Sequence, residues 1–193
     1  FPIYEQTIPA TAKAAHDAGK AWVLDPVGLG IGSLRTKLIG ELKPYKPTIV
    51  RGNASEIIAL ASLWELLDAE DALDRPRGVD TTDGVDAARE AAVALARYTG
   101  GAVVVSGEVD LVTDGTTVVR SHGGSELMSK ITGCGCSQGG VLAVYATCAD
   151  AFTAAVAGTA HYNLAGTLSA AVAEAPARFK VAFIDELYRA TGE

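Results

Sequence analysis

Basic runs, a secretory-type start and a paired cysteine framework are all missing from this chain. Lys and Arg number 16 against 23 Asp and Glu, the formal net charge is −7, and no cationic stripe stands out. Neutralising nucleic-acid phosphates requires such a stripe, so that class of partner is excluded. ATP is not excluded, because backbone N–H groups and a metal ion can hold phosphates. Three cysteines, Cys134, Cys136 and Cys148, are an odd number gathered in one region. That is no disulfide framework, and it suits a reducing cytoplasm. The opening Phe1-Pro2-Ile3-Tyr4-Glu5 does not run basic then apolar as a signal peptide does. Aromatic residues make up only 6% of a chain that is 49% hydrophobic. Alanine, glycine and valine must therefore fill the interior, which favours closely packed α/β layers. The length of 193 residues suits a single domain.

Charge is also nearly absent from positions 131–173, where only Asp150 is ionised at neutral pH. The length fits a membrane span. The composition does not: Ala, Gly, Thr and Ser dominate, and His161 and Asn163 lie inside it. Buried helices of a core, and no membrane, are expected.

Apolar runs and turn residues predict the order of elements. Helices are expected over 7–18, stopped by Gly19, over 33–42, capped by Ser33, and from 54 or 55 to 67. Further helices are expected over 85–99, over 136–148, after Asp150 and after Pro176. Short buried strands are expected at 21–24, 48–50 and 102–105. A hairpin is expected where 111–113 and 117–119 flank Asp114-Gly115. The acidic stretch 68–83 reads as a surface loop. Continuous apolar strands, each followed by a helix, indicate a mainly parallel sheet covered on both faces. Such sheets bind ligands at the carboxyl ends of their strands. Asp25, Arg51 and Ser106 all fall there.

Four constellations carry chemistry. Asp25-Pro26 leads into Gly28-Leu29-Gly30-Ile31-Gly32, which lacks the spacing of a dinucleotide loop or a P-loop. Asp25 suits a Mg²⁺ ligand or a turn cap. Arg51 offers a planar fork for phosphate oxygens. Glu56 either answers the dipole of its own helix or faces the same cleft and helps to place the metal. Thr132-Gly133-Cys134-Gly135-Cys136 opens a long uncharged helix. Free backbone N–H groups at Gly133, Cys134, Gly135 and Cys136 make an anion hole there, or else the run is an ordinary glycine-rich helix entry. A zinc site on Cys134 and Cys136 needs four ligands, and the remaining Cys148 and three histidines have no partner spacing.

At these motifs the sequence resembles the hydroxyethylthiazole kinases. The matching stretches are Asp25-Pro26-Val27-Gly28-x-Gly30, Arg51-Gly52-Asn53-Ala54-Ser55-Glu56-Ile57, Ser106-Gly107-Glu108-Val109-Asp110 and Ile131-Thr132-Gly133-x-Gly135-Cys136, in family order. The resemblance implies a ribokinase-like three-layer α/β/α domain over 1–193 that lacks the family's N-terminal part. The implied activity is ATP-dependent phosphorylation of the primary alcohol of 4-methyl-5-(2-hydroxyethyl)thiazole, in thiamine biosynthesis or salvage. It further implies ATP contacts from Arg51 and Ser106, a thiazole contact from Gly133, and Mg²⁺ placed by Asp25 and Glu56. Cys136 stands where relatives in the superfamily carry a catalytic Asp. The implied assembly is a cytoplasmic homotrimer with thiazole bound between subunits. A thiolate is a weak base toward an alcohol, and phosphoryl transfer rests mainly on alignment and charge neutralisation. Cys136 is therefore expected to orient the alcohol and accept its proton late. Departures from the family pattern are Cys134 in the glycine turn and His122-Gly123-Gly124. Two alternatives stand beside this reading. One is a ribokinase-like nucleotide binder without turnover. The other is a ribokinase-like kinase or ATP-dependent dehydratase with another substrate, against which Cys136 in place of Asp argues.

Overall fold

A computed structural model describes residues 3–29, 32–67 and 85–190. Its centre is one sheet of five strands: β1 (Val23–Leu24), β2 (Ile49–Asn53), β3 (Ala102–Ser106), β4 (Asp110–Thr113) and β5 (Val118–Ser121). They lie side by side in sequence order. Pairing is parallel from β1 through β3, and antiparallel from β3 to β4 and from β4 to β5. The helices are α1 (Ile3–Asp17), α2 (Ser33–Glu41), α3 (Ala54–Leu63), α4 (Arg89–Thr99), α5 (Cys134–Tyr145), α6 (Ala151–Val172) and α7 (Pro176–Arg189).

Alternation along each strand divides the core between two layers. Val50, Val103, Val105 and Leu111 pack with Ile57, Leu60, Trp64, Ala92 and Leu95 of the α3–α4 side. Their neighbours Ile49, Ala102, Val104 and Val112 pack with Leu142, Ala154 and Ala155 of the α5–α6 side. Both faces of β3 are thus fully buried, which is why its sequence is continuously apolar. Each large aliphatic side chain in this core contributes about 2 kcal/mol through burial. The Trp64 indole N–H inside it donates to the Ile39 carbonyl at 3.1 Å, whereas the buried Thr159 hydroxyl has no hydrogen-bond partner among the described residues.

Small residues line much of the α5–α6 side. Helix α6 buries Ala154, Ala155, Gly158, Thr159, Ala165, Gly166 and Ser169, so α5 and α7 approach it closely. Phe179 and Phe183 of α7 fill a third cluster around Tyr162 and Cys134. Among the described residues no helix is long and apolar enough to cross a membrane.

Several boundaries move from expectation. Helix α1 starts a turn early and runs through Pro9, which forfeits one backbone donor. Strand β1 is only two residues long, and α3 stops at Leu63, where Glu65 takes a positive φ of 56°. Helix α5 begins at Cys134, behind Gly133 as a left-handed N-cap, and ends at Tyr145. The stretch 68–83 lies outside the described residues, as do Gly30 and Ile31.

Candidate active site

Strand parity aims three polar side chains at one place. Ile49 and Arg51 share a face of β2, Val104 and Ser106 share the same face of β3, and Asp25 follows Val23 of β1 by two residues. All three therefore emerge on the α5–α6 side, at the carboxyl ends of the parallel strands. Arg51 is the hub. Its Nη2 donates to Ser106 Oγ at 2.9 Å, its Nη1 meets Asp25 Oδ2 at 3.4 Å, and its Nε donates to Gln138 Oε1 of α5 at 2.9 Å. Two of the guanidinium's five N–H groups remain for another acceptor. Ser106 Oγ in turn donates to the Gly52 carbonyl at 3.3 Å.

Gln138 is the member that sequence reasoning missed. It is 2% exposed on a helix with no other buried polar side chain. No local pattern marked it: only its burial in the folded chain shows that the amide needs a partner.

Glu56 takes the helix-end role and also makes a contact beyond its own helix. It forms a capping box with Asn53: its Oε2 accepts from the Asn53 N–H at 3.0 Å, while Asn53 Oδ1 accepts from the Glu56 N–H at 2.9 Å. Its other oxygen reaches the loop after β1 and accepts from the Gly28 N–H at 3.1 Å. Glu56 thus ties that loop to α3 and lies near enough to Asp25 for its charge to bear on that carboxyl.

Asp25 carries the local tension. Burial pushes its carboxyl pKa up, Arg51 opposes that, and the nearby Glu56 charge adds to it. Its Oδ1 is buried with no hydrogen-bond partner among the described residues. An ionised carboxylate oxygen left in that state suits a cation. Among the described residues no three His, Cys, Asp or Glu side chains form a metal cage. Mg²⁺ is held through one or two carboxylates together with phosphates and water, so Asp25 and Glu56 fit it.

Above this knot stands the start of α5. Its N-cap Gly133 has φ 84° and offers no side-chain cap. A Cβ there would meet nothing within 4 Å, so backbone conformation and not crowding requires glycine. The expected anion hole needs one correction. The Cys134 N–H is already taken, donating to the Ile131 carbonyl at 3.3 Å. Among the described residues the N–H groups of Gly135 and Cys136 have no carbonyl acceptor, which leaves them for an anion. A Cβ on Gly135 would sit 3.1 Å from Arg51 Nη2 and 3.2 Å from Nη1. Glycine is thus what lets the guanidinium lie against the helix start. The Cys136 side chain is exposed at this end, whereas Cys134 turns inward and is buried. The two thiols face different surroundings, which removes the zinc-pair reading. His16 and His161 bond to backbone carbonyls at 3.1 Å each, which gives them structural roles.

Parallel strands, helices on both faces and an uncapped helix start over the strand ends define a ribokinase-like kinase fold. Bacillus subtilis pyridoxal kinase, solved as an ADP complex, shares that fold: TM-score 0.55, 22% identity, 83% of this chain and 59% of the other covered. Within the class the match is narrower. The Hydroxyethylthiazole kinase family profile matches residues 3–193, and the chain belongs to that family. The hydroxyethylthiazole kinase of Bifidobacterium longum strain DJO10A is 45% identical over 211 residues, covering 100% of this chain and 67% of the relative. That of Clavibacter sepedonicus is 48% identical over 94% of this chain and 63% of its own length. The solved hydroxyethylthiazole kinase of Pyrococcus horikoshii OT3 superimposes with TM-score 0.81 at 26% identity, covering 96% of this chain and 66% of that one. The chain thus spans about two thirds of the length of the relatives it matches.

Proposed function

We propose that this chain, as one ribokinase-like domain over 1–193, transfers the γ-phosphate of ATP to the primary alcohol of 4-methyl-5-(2-hydroxyethyl)thiazole. Family membership supports the reaction. The observation that carries the site is the convergence of Asp25, Arg51 and Ser106 beneath the unclaimed N–H groups of Gly135 and Cys136. Arg51 and Ser106 hold ATP, with Arg51 turning its spare N–H groups to phosphate oxygens. The Gly135 and Cys136 amides take up charge on the transferring phosphoryl group. Gly133 leaves open space for the thiazole, and Cys136 orients the alcohol and, as the thiolate, accepts its proton late. Asp25, and Glu56 directly or through water, would hold Mg²⁺, which would supply charge neutralisation for the phosphates.

The proposed assembly is a cytoplasmic homotrimer with the thiazole between subunits. Free cysteines fit the compartment. Val172, Val181, Ile184 and Tyr188 leave apolar surface on α6 and α7, which favours association. A product assay by mass spectrometry tests the activity. With ATP, Mg²⁺ and the thiazole alcohol, the monophosphate ester should form, and chelation of Mg²⁺ should abolish it reversibly. Binding of ATP and thiazole by titration calorimetry with no ester formed would overturn the reading.

A further inference from the structure

The first turn of α5 has no cap in front of it, yet it is held from behind. Tyr162, from the middle of α6, donates its hydroxyl to the Cys134 carbonyl. The Ser137 hydroxyl donates to the same carbonyl at 2.9 Å and lies 2.7 Å from Tyr162 Oη. The Cys134 thiol closes the group, 3.4 Å from Tyr162 Oη. Tyr162 is 2% exposed, and its ring stands edge-on to Phe183 with centroids 4.9 Å apart. Burial raises the phenol pKa, so the hydroxyl stays protonated and serves as a donor.

The consequence follows from peptide geometry. The Cys134 carbonyl and the Gly135 N–H belong to one planar unit and point in opposite directions. Gripping the oxygen therefore aims the N–H. We propose that Tyr162 is a positioning residue for phosphoryl transfer: by holding the Cys134 carbonyl it directs the Gly135 amide at the phosphoryl site. This rests on the proposed kinase reading and adds a residue outside the motifs that carry the family resemblance. It also accounts for Cys134, whose thiol meets the Tyr162 hydroxyl inside the α5–α6 contact.

The test compares Tyr162→Phe with the unaltered protein. The variant keeps the ring and removes the grip. Its kcat should fall about tenfold, with KM for ATP and for the alcohol each within about twofold, since a misaimed donor acts on the transition state. Amide exchange gives a second readout. The Ser137 and Gln138 amides should exchange about tenfold faster, and those of Val144 and Tyr145 at the far end of α5 should not change. A residue that served only stability would lower the melting temperature and leave kcat of the folded enzyme alone. Unchanged kcat in Tyr162→Phe, beside an active parent, overturns the proposal. If the parent forms no ester, the kinase reading fails, and the exchange pattern alone decides: unaltered first-turn amides overturn the grip, and faster ones support it. If Tyr162→Phe does not fold, Ser137→Ala takes its place. A kcat loss of about threefold at constant KM then supports the proposal, and no loss overturns it.

Discussion

On the strand side of the cleft the polar groups are knotted together. Arg51 touches Asp25, Ser106 and Gln138, and Glu56 closes its own capping box while reaching Gly28. On the helix side the donors are left open: Gly133 supplies no cap, and the Gly135 and Cys136 amides have no acceptor among the described residues. A buried charge must be paired to be tolerated, whereas exposed N–H groups at a helix start cost little. The strand wall therefore couples stability to function, and the helix wall separates them. Substitutions on the first should damage both; substitutions on the second should damage turnover.

The largest effect should come from the hub. Arg51→Met leaves Asp25 and Gln138 unpaired in a buried setting, so it should cost about 3 kcal/mol in urea unfolding. Turnover should fall at least about a thousandfold through loss of phosphate contact and support for Ser106. Retention of near-parental stability would break the comparison. Gly135→Ala sharpens it from the helix wall. The added Cβ presses on the Arg51 fork, while alanine favours the helix by about 1 kcal/mol. Turnover should drop about 30-fold with stability unchanged within about 1 kcal/mol, measured by steady-state kinetics and urea midpoints. A smaller loss, about tenfold in kcat, is expected for Cys136→Asp, because a carboxylate can also orient the alcohol. Complete loss of turnover with both substrates still bound would put the thiol ahead of the anion hole.

A pH prediction concerns Asp110, which accepts from the Gly107 N–H at 2.9 Å and from Asn163 Nδ2 at 3.0 Å. Burial raises its pKa above 3.8 in the folded chain. A carboxyl raised on folding contributes stability below its unfolded pKa and loses it as pH climbs through the folded value. The stability of the parent relative to Asp110→Asn should therefore decline as pH rises above about 4, read from urea midpoints. A flat difference would show that the hydrogen bonds offset burial. The smallest effect should be that of Tyr145→Phe, far from the cleft. It loses the 2.8 Å bond to His161 and should cost about 1 kcal/mol with turnover unchanged.

The same contrast explains what was legible. The strand-end residues Asp25, Arg51 and Ser106 could be grouped from pattern, because a short apolar run followed by a polar residue marks a carboxyl end in a parallel sheet. The capping box at Asn53 and Glu56 is likewise a local signature. Gln138 and Tyr162 were not legible, since each acts on a residue far away in sequence, 87 positions for Gln138 and 28 for Tyr162. Helix α1 began earlier than expected because the missing donor at Pro9 is tolerated within its fifteen residues.

By itself the sequence determined the alternating elements, the buried strands, the family and the glycine-rich helix start, all of which depend on local periodicity and short-range backbone geometry. Only the tertiary structure decided that Arg51 is shared among three partners, that the Cys134 amide is already taken, and that the inward thiol meets Tyr162. Those outcomes depend on which side chains arrive together when α5 and α6 close over the sheet. Contacts of that kind leave no periodic trace in the chain, because any donor of the right reach on α6 satisfies the same helix turn.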